Sequence, residues 1–204
     1  MNATDQAEVT VFVVDDNETT RYGITAILSR IEGIDVVGEA ADGQAAVDGV
    51  LVSHPQVVIM DIGLPTLNGI EATRRIKASG NGTKIVMLTS RDSDADMFSA
   101  FEAGADGYIV KEMFSVERLE MAVRNVADGV GWLDPSIAQR VLAAAARACK
   151  GRGFPGSPSE TVEPLSHDER ELLEKVANQE EDSARSDGIC SIDPAFLQRL
   201  RRFG

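Results

Sequence analysis

The chain has 204 residues, 43% of them apolar, enough for one ordinary domain with a real core and a smaller appendage. Its 20 Lys and Arg against 33 Asp and Glu leave a formal charge of -13, which argues against electrostatic steering towards DNA or an anionic membrane. No stretch approaches the ~20 apolar residues of a membrane span, MNATDQAEVT lacks the features of a signal peptide, and Cys149 and Cys190 fit no CxxC or metal-ligand spacing, so a cytoplasmic protein with reduced thiols is expected.

From the N-terminus, short apolar runs alternate with helical patterns. Strands are predicted over 9–14 (VTVFVV), 34–40 (IDVVGEA), 57–60 (VVIM), 84–89 (KIVMLT) and 107–110 (GYIV). Several are apolar throughout and rich in Val and Ile, as in a parallel sheet covered on both faces. Helices are predicted near 18–31, 43–53, 69–79, 92–104 and 115–128. Five alternations imply an α/β fold, a five-stranded parallel doubly wound sheet. GVGWLDP (129–135) reads as a turn and a helix start, with Trp132 as an anchor and Pro135 at the first helical position. Residues 136–149 read as an Ala-rich linker helix. KGRGFPGSPSETVEP (150–164), with three Gly and three Pro, reads as a flexible linker. Ser166 and Glu169 form a capping box before HDERELLEKVAN. EEDSARSD carries no periodicity, and Asp193-Pro194 opens a last helix, AFLQRLRRFG. The expected organisation is therefore a domain over 1–130, a linker helix and linker over 131–164, and a small all-α unit over 165–204. His54 and His167 read as surface residues.

The chemistry concentrates at strand ends. Asp15 and Asp16 end the first strand and Asp61 ends the third. In an open parallel sheet the ligand crevice lies beyond the carboxyl ends of the strands, where strand order reverses. With the order 2-1-3-4-5 the three carboxylates converge there. Thr89, ending the fourth strand, and Lys111, after the fifth, face the same solvated edge. Three adjacent carboxylates resist full ionisation, and a divalent cation relieves the conflict. Magnesium fits best, since it takes oxygen ligands and leaves a position for a phosphoryl oxygen. Phosphoryl transfer needs mainly positioning and charge stabilisation. Lys111 offers a positive charge, Thr89 a hydroxyl, and a carboxylate is already a nucleophile near pH 7.

VFVVDDNETTR, VVIMDIGLPTLNGIEATRRIK, IVMLTSRD and AGADGYIVKE resemble the motifs of bacterial response-regulator receiver domains, and the DIGLP and KE variants resemble the NarL/FixJ subfamily. The resemblance covers residues 9–128 and implies a flavodoxin-like receiver. It implies that Asp61 is the phosphoacceptor, that Asp16 binds magnesium directly and Asp15 through water, and that Gly63 gives the metal its backbone carbonyl. Thr89 and Tyr108 match the switch pair that moves on phosphorylation. The implied partner is a sensor histidine kinase, with a homodimer as a further expectation. The chain is expected to assist its own phosphorylation and dephosphorylation, and not to be an enzyme otherwise.

Regulators of this subfamily end in a LuxR-type helix-turn-helix, and LSHDERELLEKVA resembles its first helix, with Asp168 where Arg is usual. After Ala177 the resemblance stops. Residues 165–204 hold nine acidic and six basic residues, a charge of -3, a poor footing for phosphate contacts. The sequence favours output through protein contacts, with Phe196, Leu197, Leu200 and Phe203 as an amphipathic docking face. The alternative is a DNA-binding regulator with a reduced helix-turn-helix.

Overall fold

The structure, a computed structural model, describes residues 8–90, 93–135, 137–141, 143, 191 and 192. Strands and helices alternate as β1 (Val9–Val14), α1 (Glu18–Leu28), β2 (Ile34–Ala40), α2 (Gly43–Ser53), β3 (Val57–Met60), α3 (Gly69–Ala78), β4 (Lys84–Thr89), α4 (Asp94–Ala103), β5 (Gly107–Val110) and α5 (Val116–Ala127). The sheet order begins β2-β1-β3-β4-β5, with the pairs β1–β2, β1–β3, β3–β4 and β4–β5 all parallel. The reversal of strand order thus falls between β1 and β3. β3 and β5 are buried end to end, as are Val11–Val14 and Ile85–Thr89, which explains their near-continuous Val, Ile and Met content. Right-handed crossovers in this order put α1 and α5 on one face and α2, α3 and α4 on the other. The packing of α2 on α3 and of α3 on α4 agrees.

Each helix starts at a side chain that satisfies a free backbone N–H, namely Asn17, Asp42, Asn68, Ser93 and Ser115 for α1 to α5. α4 ends on Gly104 in the left-handed region (φ 108).

The five parallel strands of the expected fold are all present, and among the described residues two further strands, β6 (Gly131–Leu133) and β7 (Ser191–Ile192), extend the sheet beyond β5 in the order β5-β6-β7, which corrects the expected strand count. The turn expected in 129–135 lies at its start, at Gly129 (φ 83), and residues 131–133 after it are strand. β6 is wholly buried, and the Trp132 N–H donates to the Asp106 carbonyl at 3.1 Å. Three residues are too few to display a period of two, so the sequence pattern conceals it. β7 pairs antiparallel with β6, with Gly131 opposite Ile192 and Trp132 opposite Ser191. The C-terminal unit expected to be all-α therefore contributes a strand. Its expected helices, the flexible linker, both cysteines and His167 lie outside the described residues. His54 is exposed, as expected, and caps α2 at φ 47.

The chain divides into two compact units, the first running to Trp132 and taking in Ser191 and Ile192, the second beginning at Leu133. In the second, residues 137–141 are helical. The Asp134 carbonyl accepts the N–H groups of Ile137 (2.9 Å) and Ala138 (3.0 Å). The rest of the expected linker helix lies outside the described residues, apart from position 143, which is also helical. Among the described residues no helix is long and apolar enough to cross a membrane.

Candidate phosphoacceptor and metal site

The sheet itself sets the carboxylates. The Asp15 N–H donates to the Ala40 carbonyl (3.2 Å) and the Asp61 N–H to the Val14 carbonyl (3.0 Å), so each extends its ladder one residue past the strand. Asp15 and Asp61 are buried, at 1% and 6% exposure, while Asp16 is exposed. One carboxylate oxygen from each of Asp15, Asp16 and Asp61 lies within 4.8 Å of the others. The expected convergence is therefore present.

Lys111 follows β5 in the 3-10 turn Lys111–Met113. Its Nζ donates to Asp15 Oδ2 at 2.7 Å and lies 3.2 Å from Asp61 Oδ1. Burial alone would lower the Lys111 pKa. The hydrogen bond to Asp15 and the charges of Asp61 and Asp15 outweigh it and hold the ammonium above its ordinary value. The remaining oxygens are held by main chain, since the Asn17 N–H donates to Asp15 Oδ1 (2.9 Å) and the Gly63 N–H to Asp61 Oδ2 (3.0 Å).

Thr89 and Tyr108 occupy neighbouring strands, and both are fully buried. This corrects the expectation of a solvated Thr89: β4 lies between β3 and β5 with both faces covered. The Tyr108 ring lies 6.0 Å from that of Phe101, tilted by 46°. Burial, with the charges of Asp96 and Asp61, raises the Tyr108 pKa well above its ordinary value.

The sequence reading missed Arg21 and Gly69. Arg21, on α1, donates from Nη1 to the Asp15 carbonyl at 2.8 Å and lies 3.5 Å from Glu39 on β2. It thereby fixes the corner that carries Asp15 and Asp16. Its position one turn inside α1 was the available signal. Gly69 opens α3 so close to Asp61 that a Cβ there would stand 1.9 Å from the Asp61 carbonyl oxygen. Between them Thr66 adopts φ 63, and the Leu67 N–H donates back to the Pro65 carbonyl at 2.6 Å.

The donor set fits a hard divalent cation. Three carboxylates against one ammonium leave two negative charges, all the acidic donors are oxygen, and Asp16 opens the cluster to solvent.

The response regulator receiver domain family matches residues 11–124. Response regulator GacA of Pseudomonas aeruginosa is 32% identical over 193 residues, covering 95% of this chain and 86% of that protein. Response regulator UvrY of Escherichia coli K12 is 38% identical over 133 residues, covering 65% of this chain and 61% of that protein. Among solved structures, a LuxR-family two-component response regulator from Aurantimonas sp. SI85-9A1 superposes with a TM-score of 0.62 at 34% identity, covering 65% of this chain and 94% of that one. The receiver domain of the response regulator NarL from Mycobacterium tuberculosis gives 0.58 at 28%, covering 60% and 98%. The five parallel strands and the acidic cluster at their carboxyl ends are thus those of a two-component response regulator with a NarL/FixJ-type receiver domain, and the chain belongs to that family.

Proposed function

We propose that Asp61 accepts a phosphoryl group, in a magnesium-dependent reaction, from the phosphohistidine of a sensor histidine kinase or from a small phosphodonor. The observation that carries this reading is Lys111 seated between Asp15 and Asp61, with Asp16 completing the cluster. An Asp61 carboxylate oxygen bonds to phosphorus while the phosphorus–nitrogen bond breaks, and the imidazole keeps the electron pair. Asp15, Asp16, Asp61 and the Gly63 carbonyl are the groups that would hold magnesium, and the ion would supply positive charge to offset that of the phosphoryl oxygens. Lys111 supplies a further charge from its place at Asp61. The Thr89 hydroxyl then moves to the phosphoryl group and the Tyr108 ring follows, which alters the surface built by α4, β5 and α5. The chain assists its own phosphorylation and dephosphorylation and turns over no separate substrate. Residues 1–130 act as the receiver, 131–164 as the connection and 165–204 as the output segment, in the cytoplasm.

Incubation with acetyl phosphate or beryllofluoride tests the site. Wild type should be modified only with magnesium, and Asp61→Asn not at all. Equal modification of both proteins, or modification indifferent to EDTA, refutes it.

Output is proposed to run through phosphorylation-dependent contacts with a protein target or a second copy. The acidic balance of 165–204 supports this. A second reading, DNA binding through a reduced helix-turn-helix, is favoured by the GacA match, whose 193 residues exceed the receiver. Mobility shifts on promoter DNA across a salt series separate the two, because phosphate contacts give a steep salt dependence.

A further inference from the structure

The three carboxylates of the cluster are not held alike. Asp15 receives Lys111 Nζ on Oδ2 (2.7 Å) and the Asn17 N–H on Oδ1 (2.9 Å). Asp61 receives the Gly63 N–H on Oδ2 (3.0 Å), with Lys111 Nζ 3.2 Å from Oδ1. Asp16 is exposed, and among the described residues no hydrogen bond holds its side chain. Its carboxylate therefore stands where the backbone puts it. That backbone is gripped from α1. Arg21 Nη1 donates to the Asp15 carbonyl at 2.8 Å, and this carbonyl lies in one planar peptide with the Asp16 nitrogen. The guanidinium is in turn aimed from β2, with Nε 3.5 Å from Glu39 Oε2. The Arg21 side chain is 16% exposed and that of Glu39 52%, so the ion pair adds little stability of its own. What it offers is direction, because a planar fork of donors can serve a carbonyl and a carboxylate at once.

We propose that Arg21, aimed by Glu39, is a positioning residue for Asp16, and that it sets the affinity of the cluster for a divalent cation through the Asp15–Asp16 peptide. It acts without touching the cation or the phosphoryl group. This proposal rests on the reading of the three carboxylates as a magnesium site. The sign of the effect separates positioning from charge. Loss of a cation beside the cluster should tighten divalent-cation binding, whereas loss of a group that places a ligand should weaken it.

Calorimetric titration of the full chain with magnesium tests it, beside thermal melts in EDTA. The proteins compared are wild type, Arg21→Gln, Asp16→Asn and the double variant. Arg21→Gln should weaken magnesium binding about tenfold. The double variant should bind no more weakly than Asp16→Asn alone, because the two residues act as one unit. Unchanged or tighter binding by Arg21→Gln overturns the proposal, and a lower melt in EDTA with that result assigns Arg21 to the fold alone. Losses that add in the double variant also overturn it. Wild-type binding that is absent, or equal in Asp16→Asn, removes the magnesium reading and this proposal with it. Binding that Asp16→Asn weakens and Arg21→Gln does not removes the positioning role alone. If Arg21→Gln does not hold its fold in EDTA, Arg21→Lys decides, since it keeps the charge and loses the fork. It should bind magnesium about threefold more weakly, the worth of a half-exposed ion pair, and unchanged affinity refutes the role.

Discussion

Lys111 shares its one charge between two buried carboxylates, Asp15 at 1% exposure and Asp61 at 6%. Removing one partner of a buried pair strands the other, at a cost of about 3–5 kcal/mol when burial is complete. The Lys111 side chain is 22% exposed, so Lys111→Gln should cost less, roughly 1–3 kcal/mol without metal. Magnesium should recover much of that loss, since a bound cation replaces the missing charge. Thermal melts of wild type and Lys111→Gln, with and without magnesium, check this. A gap that magnesium leaves unchanged would show that the lysine supports the fold by packing instead.

The β3–α3 corner shows how an element can govern the site without touching the chemistry. At Gly69 an added Cβ meets only backbone, 1.9 Å from the Asp61 oxygen and 2.9 Å from its carbonyl carbon. Neither atom can move without shifting Asp61. Gly69→Ala should therefore cost about 1–3 kcal/mol and slow beryllofluoride binding at least tenfold. Gly23→Ala, in the interior of α1 with open space around it, should instead be neutral or stabilise by up to about 1 kcal/mol. A Gly69→Ala protein that binds beryllofluoride at the wild-type rate refutes the argument. The same contrast explains what the sequence revealed. Val57–Met60 reads as a buried strand because both of its faces are covered, and Asp61 then falls at the strand end without further information. The strands β1, β3, β4 and β5 were legible in this way, and β2, buried only at its two ends, by its place in the alternation; with them came Asp15, Asp16, Asp61, Thr89 and Lys111 at one edge. Gly69 and Arg21 were not, because their importance lies in distances between elements. β6 and β7 were not, because two or three residues show no period. The full burial of Thr89 depends on which strand is central, which the pattern of a single strand does not state.

For the whole molecule, the buried Tyr108 and the paired Lys111 act in the same direction on alkaline stability. Both have folded pKa values raised above their unfolded ones. Below about pH 10 both groups are protonated in either state and their contribution is intact. As pH rises past that point the unfolded chain releases protons that the folded chain retains, so stability falls. Tyr108 is fully buried. Its ionisation, followed by absorbance at 295 nm as the wild-type minus Tyr108→Phe difference, should therefore coincide with unfolding, and Tyr108→Phe should flatten the fall in stability. Ionisation of Tyr108 in protein that is still folded would contradict its burial. A larger consequence follows from where the helices begin. Each of α1 to α5 follows its strand and starts at the carboxyl edge of the sheet, the edge that carries Asp61. Each of these five helices therefore turns the positive end of its dipole towards that edge, equivalent to about half an elementary charge apiece. A molecule of net charge -13 repels a phosphate-bearing donor at long range. At short range its backbone supplies an attractive field that side-chain mutation cannot remove. Under the proposed phosphotransfer, the carboxyl edge is the part of so acidic a protein best placed to receive a phosphoryl anion.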